Sequence, residues 1–315
     1  MAKENKNLTL FDSIESKEKP SRAFLPISFI SASLPLRDIK GSLFTRKYNG
    51  IEMILTGAPK VPYGVYGRLV LSLLTTHAVL DEKDENGNVV INYSKEKEFL
   101  DELQAPKSRG KNFREQLEYF SNSTFVYKVK VQKKVQRSLF EDLDNIKDSV
   151  EVSYESTGNI AFIKKYERLT LLDGDIEADK KNRNMSVVLN ADFVKLCVEH
   201  AVPINYTTYS KLSATGKDLY AWFVYRNNSL NYGDVIKIPK EKFVEQFMPV
   251  KDAENNKTQV NSNYQYLREQ IEEIKKYYKD LDVYVLKDGG GIVLRASPPE
   301  IFANDKRYVL ITAND

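Results

Sequence analysis

Between Lys107 and Arg137 nine lysines or arginines stand against two glutamates, in a chain whose formal net charge is only +3. A segment of that kind can neutralise phosphates. Lys107, Arg109, Lys111, Asn112 and Arg114 would crowd a turn and the start of a helix, while Lys128, Lys130, Lys133 and Lys134 would sit on a wing beyond it. A second set, Asn261, Asn263, Gln265 and Arg268, joins residue types that read base edges: arginine pairs bidentately with guanine, and asparagine or glutamine with adenine. Lys287 and Arg295 flank Gly289-Gly290-Gly291, a tip able to approach a phosphate backbone closely. Each set also fits a blander reading, an ordinary solvated helix face or a plain hairpin turn.

Catalytic patterns fall short. The two histidines, His77 and His200, lie far apart and neither has a histidine neighbour, so a metal held by closely spaced histidines beside a tyrosine is not expected. Ala214-Thr-Gly-Lys-Asp218 misses a phosphate loop, because Lys211 stands where its first glycine belongs and Asp218 replaces Ser or Thr. Asp173-Gly-Asp175 reads as two solvated carboxylates in a polar loop. The lone cysteine, Cys197, reads as a small buried apolar residue and excludes an internal disulfide. No enzyme, metal or cofactor is expected.

The elements that must position these residues are read from periodicity. Leu219, Trp222, Phe223 and Arg226 fall at helical spacing within Ser213–Asn227, and Tyr220, Val224 and Tyr225 widen the stripe, so this helix should be central. Upstream, Ser42–Lys47 and Ile51–Thr56 around Tyr48-Asn49-Gly50 read as a hairpin. Then follow a helix over Tyr63–Leu80, a strand over Val89–Tyr93, a helix over Lys95–Leu103 capped by Ser94, a basic turn at 107–112, and a helix over Phe113–Phe120. Strand-like residues at Phe125–Val131, an acidic excursion at Glu141–Asp148 and a returning strand near Asn159–Lys164 would make a long hairpin. The order recurs: helix 213–227, strand Val235–Ile238, helix Lys240–Phe247, polar turn 251–263, helix Tyr264–Tyr278, and a hairpin of Val283–Leu286 with Ile292–Ala296. Phe113-Arg-Glu-Gln-Leu117 even matches Leu267-Arg-Glu-Gln-Ile271 in kind. That order is the order of a winged helix, in which the third helix turns polar residues outward to the major groove.

The fold class expected is therefore α+β, two tandem winged-helix domains, each a three-helix core with a β-hairpin wing. The expected division is a flexible tail over 1–22, a first domain over 23–175 with an acidic insertion near 141–157, and a second over 186–315. At 315 residues and 42% apolar content each unit can own a core. No run of about 18 apolar residues and no signal peptide is seen, so a cytoplasmic protein without a membrane partner is expected.

Two stretches carry a resemblance. Gly67-Arg-Leu-Val-Leu-Ser-Leu-Leu-Thr-Thr-His-Ala-Val79 and Ser213-Ala-Thr-Gly-Lys-Asp-Leu-Tyr-Ala-Trp-Phe-Val-Tyr-Arg226 resemble plasmid replication initiators of the RepA type, over roughly Leu34 to Ala296. The resemblance implies binding of repeated duplex DNA sites at a plasmid origin. It also implies dimers that repress the initiator's own promoter, monomers active at the origin, and recruitment of host replication proteins such as a helicase or the host initiator. The alternative is a plain winged-helix transcriptional regulator, which uses the same DNA chemistry.

One partner motif lies in the tail. Asn7-Leu8-Thr9-Leu10-Phe11 is similar to the short extended peptides of the type Gln-Leu-Ser/Asp-Leu-Phe that bacterial sliding clamps capture, with Leu8, Leu10 and Phe11 as the apolar contacts. Gln136-Arg-Ser-Leu-Phe140 is a competing copy. The same apolar residues would equally anchor the tail on its own domain.

Overall fold

Gly67–Ala78 and Thr215–Val224 are buried on every side, so each forms the middle of a layered unit rather than one of its surfaces. The computed structural model describes residues 21–48, 51–135, 150–156, 159–168, 185–286, 289–301 and 309–310, with side chains at all but 48, 129–135, 150–156 and 309–310. The expected tail contacts Leu8, Leu10 and Phe11, the acidic run 141–148, the copy at 136–140, Asp173-Gly-Asp175 and Lys287 lie outside the described residues.

The chain opens with β1 (Ser21–Pro26), α1 (Ile27–Ser31) and a hairpin of β2 (Leu43–Tyr48) and β3 (Ile51–Gly57). Next come α2 (Gly64–Leu80), β4 (Val89–Tyr93), α3 (Glu96–Glu102), a 3-10 turn over Lys107–Arg109 and α4 (Gly110–Ser121). β5 (Ser123–Val135), β6 (Val150–Ser156) and β7 (Asn159–Ala161) precede β8 (Ile163–Arg168) and β9 (Met185–Leu189). Then follow α5 (Ala191–His200), β10 (Ala201–Asn205), α6 (Tyr206–Lys211) and the central α7 (Ala214–Asn227). The chain ends with β11 (Val235–Pro239), α8 (Lys240–Phe247), α9 (Lys257–Lys275), β12 (Val283–Val285), β13 (Gly291–Arg295) and β14 (Val309–Leu310). Helices and mainly antiparallel sheets occupy separate layers, an α+β arrangement.

Two of the sheets repeat one plan. β4-β9-β8 and β11-β13-β12 are both antiparallel, and in each the first strand lies beside the last while the middle one takes the far edge. Each plan is wired as helix, strand, helix, helix, hairpin: α2, β4, α3, α4, β8, β9 and α7, β11, α8, α9, β12, β13. The close fit of β11 on β13 needs glycine at 291, where φ is +148° and an added Cβ would stand 2.0 Å from the Ile238 carbonyl.

Local sequence explains the helix starts. Asn190, Asn205, Ser213 and Asn256 each end an extended or irregular stretch and accept a backbone N–H from the first turn that follows. At α3 the expected cap moves by one: Lys95 is the cap residue, and the Glu98 carboxylate takes the N–H groups of Ser94 and Lys95. The last long helix begins at Lys257, not Tyr264, because Asn256 caps it within the stretch read as a polar turn.

The strand read as the wing of the first unit belongs to another sheet. β5, with Lys128, Lys130, Lys133 and Lys134, joins a different sheet of order β2-β3-β5-β6, so these lysines sit on a strand paired with β3 and β6. β5, β6 and β7 lie in chain order between α4 and the antiparallel pair of β8 with β9. Alternation in Phe125–Val131 signalled a strand, and its expected return near Asn159–Lys164 contains β7, which pairs β5 antiparallel at Thr124–Val126; the further partners β3 and β6 were not signalled. The expected start of the second unit at residue 186 also falls within β9, whose partners are β4 and β8. α5, which follows, packs on α2.

A fourth sheet, β10-β1-β14, brings β1 against the middle of the chain, with Arg22–Pro26 antiparallel to Ala201–Asn205. Arg68 of α2 and Asp218 of α7 then join the two central helices directly. Trp222 is 4% exposed, with Phe247 edge-on at 5.7 Å and the Arg226 guanidinium over its ring at 5.4 Å. Cys197 is fully buried and burial raises its thiol pKa. Among the described residues no helix is long and apolar enough to cross a membrane.

Candidate nucleic-acid interface

α9 presents the clearest candidate face. Val260, Asn263, Tyr264, Leu267, Ile271 and Ile274 are buried at helical spacing, which turns Lys257, Thr258, Gln259, Asn261, Ser262 and Gln265 outward in its first half. Asn261 accepts from Lys240 Nζ at 3.1 Å, so the start of α8 steadies it. Arg268 is half-buried, its Nη1 donates to Gln265 Oε1 at 3.1 Å, and its Nε is buried with no hydrogen-bond partner among the described residues. Gln265 and Arg268 therefore act as a pair one turn apart.

Asn263 belongs to the other face. It is 8% exposed, donates to the Met248 carbonyl at 2.9 Å and accepts from Gln259 at 2.7 Å, so it holds α9 to the end of α8 rather than facing a groove. Periodicity misplaced it because the stripe was counted from Tyr264; counted from Val260, position 263 falls inside. Lys257, Thr258, Gln259 and Ser262 were missed for the same reason, and Asn256 was the available signal.

In the first unit Lys107 and Arg109 are exposed in the 3-10 turn and Lys111 on the first turn of α4, where no side chain caps the helix. Cations around a helix start favour a phosphate. Asn112 is half-exposed, and Lys111 lies 3.9 Å from Glu115. Arg114 is committed elsewhere: it pairs with Glu96 of α3, with Arg168 at 3.9 Å on the same residue, so it braces α4 against α3 and β8. Glu96 provides that competing partner, which the spacing within α4 alone could not reveal.

Lys128 lies 3.9 Å from Glu52, and the backbone of Lys130 pairs with that of Glu155. On the sheet of the second unit Arg295 is exposed, with its guanidinium 5.2 Å over the Tyr284 ring, and Lys237 is exposed one position from Ile236. The interface candidates thus gather on two helices and one small sheet.

His77 is structural in its contacts: Nδ1 lies 2.7 Å from Asp81, and Nε2 lies 3.1 Å from Glu102 and 3.2 Å from the Tyr93 hydroxyl. Burial opposes the imidazolium, yet the hydrogen bonds and charges of Asp81 and Glu102 outweigh it, so the pKa of His77 is raised. His200 is exposed and 3.9 Å from Glu199. Lys217, in the failed phosphate loop, instead donates to the Tyr209, Ser210 and Leu212 carbonyls and closes the end of α6. Among the described residues no three His, Cys, Asp or Glu side chains group as metal ligands.

No family model matches the chain, and no curated protein matches it. Among solved structures it is similar to a crystal structure of RctB domains 2 and 3, with a TM-score of 0.48 and 12% identity over 85% of this chain and 96% of that one. A selenomethionine crystal structure of the same two RctB domains gives a TM-score of 0.49 and 10% identity over 85% and 98%.

Proposed function

We propose that the chain binds duplex DNA through two tandem winged-helix units and acts, without catalysis of its own, as a replication initiator at repeated sites of an origin. The observation that carries DNA binding is the repetition of one wiring and one strand order, each copy holding a third helix whose outward start is polar or basic. In this reading Asn261, Gln265 and Arg268 read bases, while Lys107, Arg109, Lys111, Lys287 and Arg295 contact phosphates. The initiator role rests on the resemblance to the RepA type, whose two stretches supply the buried central helices α2 and α7.

The direct test has two arms. Purified protein should bind directly repeated sites of about 20 base pairs taken from the DNA beside its gene, with a slope of log affinity against log salt set by its phosphate contacts. A replicon lacking the gene should fail to persist and be rescued in trans. Binding without any replication defect would leave the transcriptional regulator. Dimer formation and self-repression belong to the same proposal and are read by sedimentation with and without DNA and by a promoter fusion.

Recruitment is proposed through Asn7–Phe11. Titration of purified sliding clamp should lose binding in Leu10→Ala/Phe11→Ala; loss in Leu139→Ala/Phe140→Ala would move the contact, and no binding by the unaltered chain would leave a helicase or host initiator as the recruited partner.

A further inference from the structure

A cavity of about 540 Å³ opens where the segment Pro35–Arg46 passes over the second unit. One wall is the start of α7, a 14-residue helix whose Ala214 and Thr215 line the cavity, while the capping Ser213 hydroxyl is already used on Gly216 N at 3.0 Å. A helix start offers N–H donors and partial positive charge. Two buried side chains add to it. Thr215 is 5% exposed, and its hydroxyl makes no hydrogen bond among the described residues. Arg46 is 7% exposed, and among the described residues its guanidinium makes one hydrogen bond, from Nη2 to the Gln246 carbonyl, and no ion pair.

A buried guanidinium without a carboxylate is costly. The carboxylate that acts on Arg46 is Asp218, which both Nε and Nη2 of Arg68 already hold at 2.7 Å. Burial lowers the pKa of Arg46, and burial with Arg68 nearby pushes Lys217 down to about 7. Three cations thus share one carboxylate beside an open cavity. Asp38, which also lines it, is taken up by Lys60 Nζ at 2.6 Å and Lys40 N at 2.8 Å. Also lining it are the half-buried Phe44 and the exposed Tyr266 and Arg37.

We propose that this cavity binds a free nucleotide, its phosphate on Thr215, Arg46 and the start of α7 and its base against Tyr266 and Phe44. The volume falls in the range of small-molecule sites, roughly 300–1,000 Å³. Its walls come from the N-terminal segment and the second unit, next to Leu34 and Pro35, whose carbonyls Arg68 holds. A bound nucleotide would therefore brace the joint between the units.

The test is calorimetric titration of the full chain with AMP, ATP, inorganic phosphate and adenosine. AMP or ATP should bind more tightly than phosphate or adenosine. Thr215→Val, Arg46→Gln and Arg37→Glu should each weaken nucleotide binding by about tenfold or more, the worth of a hydrogen bond or contact to a charged group. If Arg46→Gln fails to fold by circular dichroism, the other two variants carry the test. No nucleotide binding at millimolar concentration, or affinity untouched in folded variants, overturns the proposal. Equal binding of phosphate and AMP would leave an adventitious ion only. Duplex binding weakened by Thr215→Val with no nucleotide binding would assign the phosphate to DNA and also overturn it.

Discussion

Arg68 and Asp218, 150 positions apart, meet through two parallel hydrogen bonds of 2.7 Å between the two central helices. The same guanidinium donates to the Leu34, Pro35 and Gly64 carbonyls at 2.6, 3.0 and 2.9 Å, so all five of its N–H groups are used. It is a knot that ties both units and the N-terminal segment together. Arg68→Ala or Asp218→Ala should each cost ~3–5 kcal/mol, because the partner is left charged and buried. Arg68→Met with Asp218→Leu should cost less than the sum, though the orphaned carbonyls of Leu34 and Pro35 keep it above zero at ~1–3 kcal/mol. Urea denaturation of the four proteins measures the coupling, and purely additive losses would mean that the pair is not what joins the helices.

Trp222 should act on stability before it acts on DNA. It is 4% exposed within α7, against Phe223 and Phe247. Trp222→Ala should cost ~3–5 kcal/mol through the cavity it leaves. A variant with unchanged thermal stability and lost DNA binding would move this helix to the interface.

His77 gives the fold a pH dependence of definite sign. Its folded pKa is raised, by Asp81 and Glu102 acting against burial, so the folded state holds the proton more tightly than the unfolded one. The stabilisation is fully present below the unfolded value of about 6.5 and is lost as pH rises through the folded value. Stability should therefore fall from mildly acidic to mildly alkaline pH. His77→Gln should be less stable at low pH and flatter across that window, as denaturation at a series of pH values would show. A slope unchanged by the substitution would assign the titration to another group.

What the sequence revealed, and what it hid, follows from the range of the interactions. Helices α2, α7 and α8 and strands β4 and β11 were legible within a residue or two, because each has its own apolar period and its own polar or glycine-bearing stop. Hairpin partners were legible too, β2 with β3, β12 with β13 and β5 with its return β7, but which sheet a strand completes was not. Nothing local distinguishes Phe125–Val131 from Ile163–Arg168 as the neighbour of a third strand, so β5–β7 was taken for the wing. Arg114 illustrates the same limit at the site: its position on α4 was right, and Glu96, 18 positions away, decides what it does. Arg46 was invisible as a candidate because its hydrogen-bond partner, the Gln246 carbonyl, lies 200 positions away.

The lysines of β5 separate two versions of the first unit's DNA contact. If the strand were the wing, Lys130→Ala would flatten the salt dependence by about one phosphate, a slope change of ~0.9. In the proposed reading the phosphate contacts belong to Lys107, Arg109 and Lys111, so their alanine variants should flatten the salt dependence and Lys130→Ala should leave it nearly unchanged. Filter binding across salt concentrations distinguishes the two.

The sharpest test of base reading compares neighbours on α9. Asn261, Gln265 and Arg268 face outward or lie along the exposed edge, whereas Asn263 bonds to the Met248 carbonyl inside the unit. Gln265→Ala or Arg268→Ala should cost ~1–3 kcal/mol on the preferred site and relax preference at one or two base positions, while weakening nonspecific binding far less. Because Arg268 Nη1 holds Gln265 Oε1, the double variant should lose less than the sum of the two. Asn263→Ala should instead lower the melting temperature, with affinity per folded molecule and base preference intact. Binding to a randomised duplex library, read by sequencing, measures both quantities at once. A change of base preference in Asn263→Ala, or none in Gln265→Ala and Arg268→Ala, would mean that α9 enters the groove by a different face or not at all.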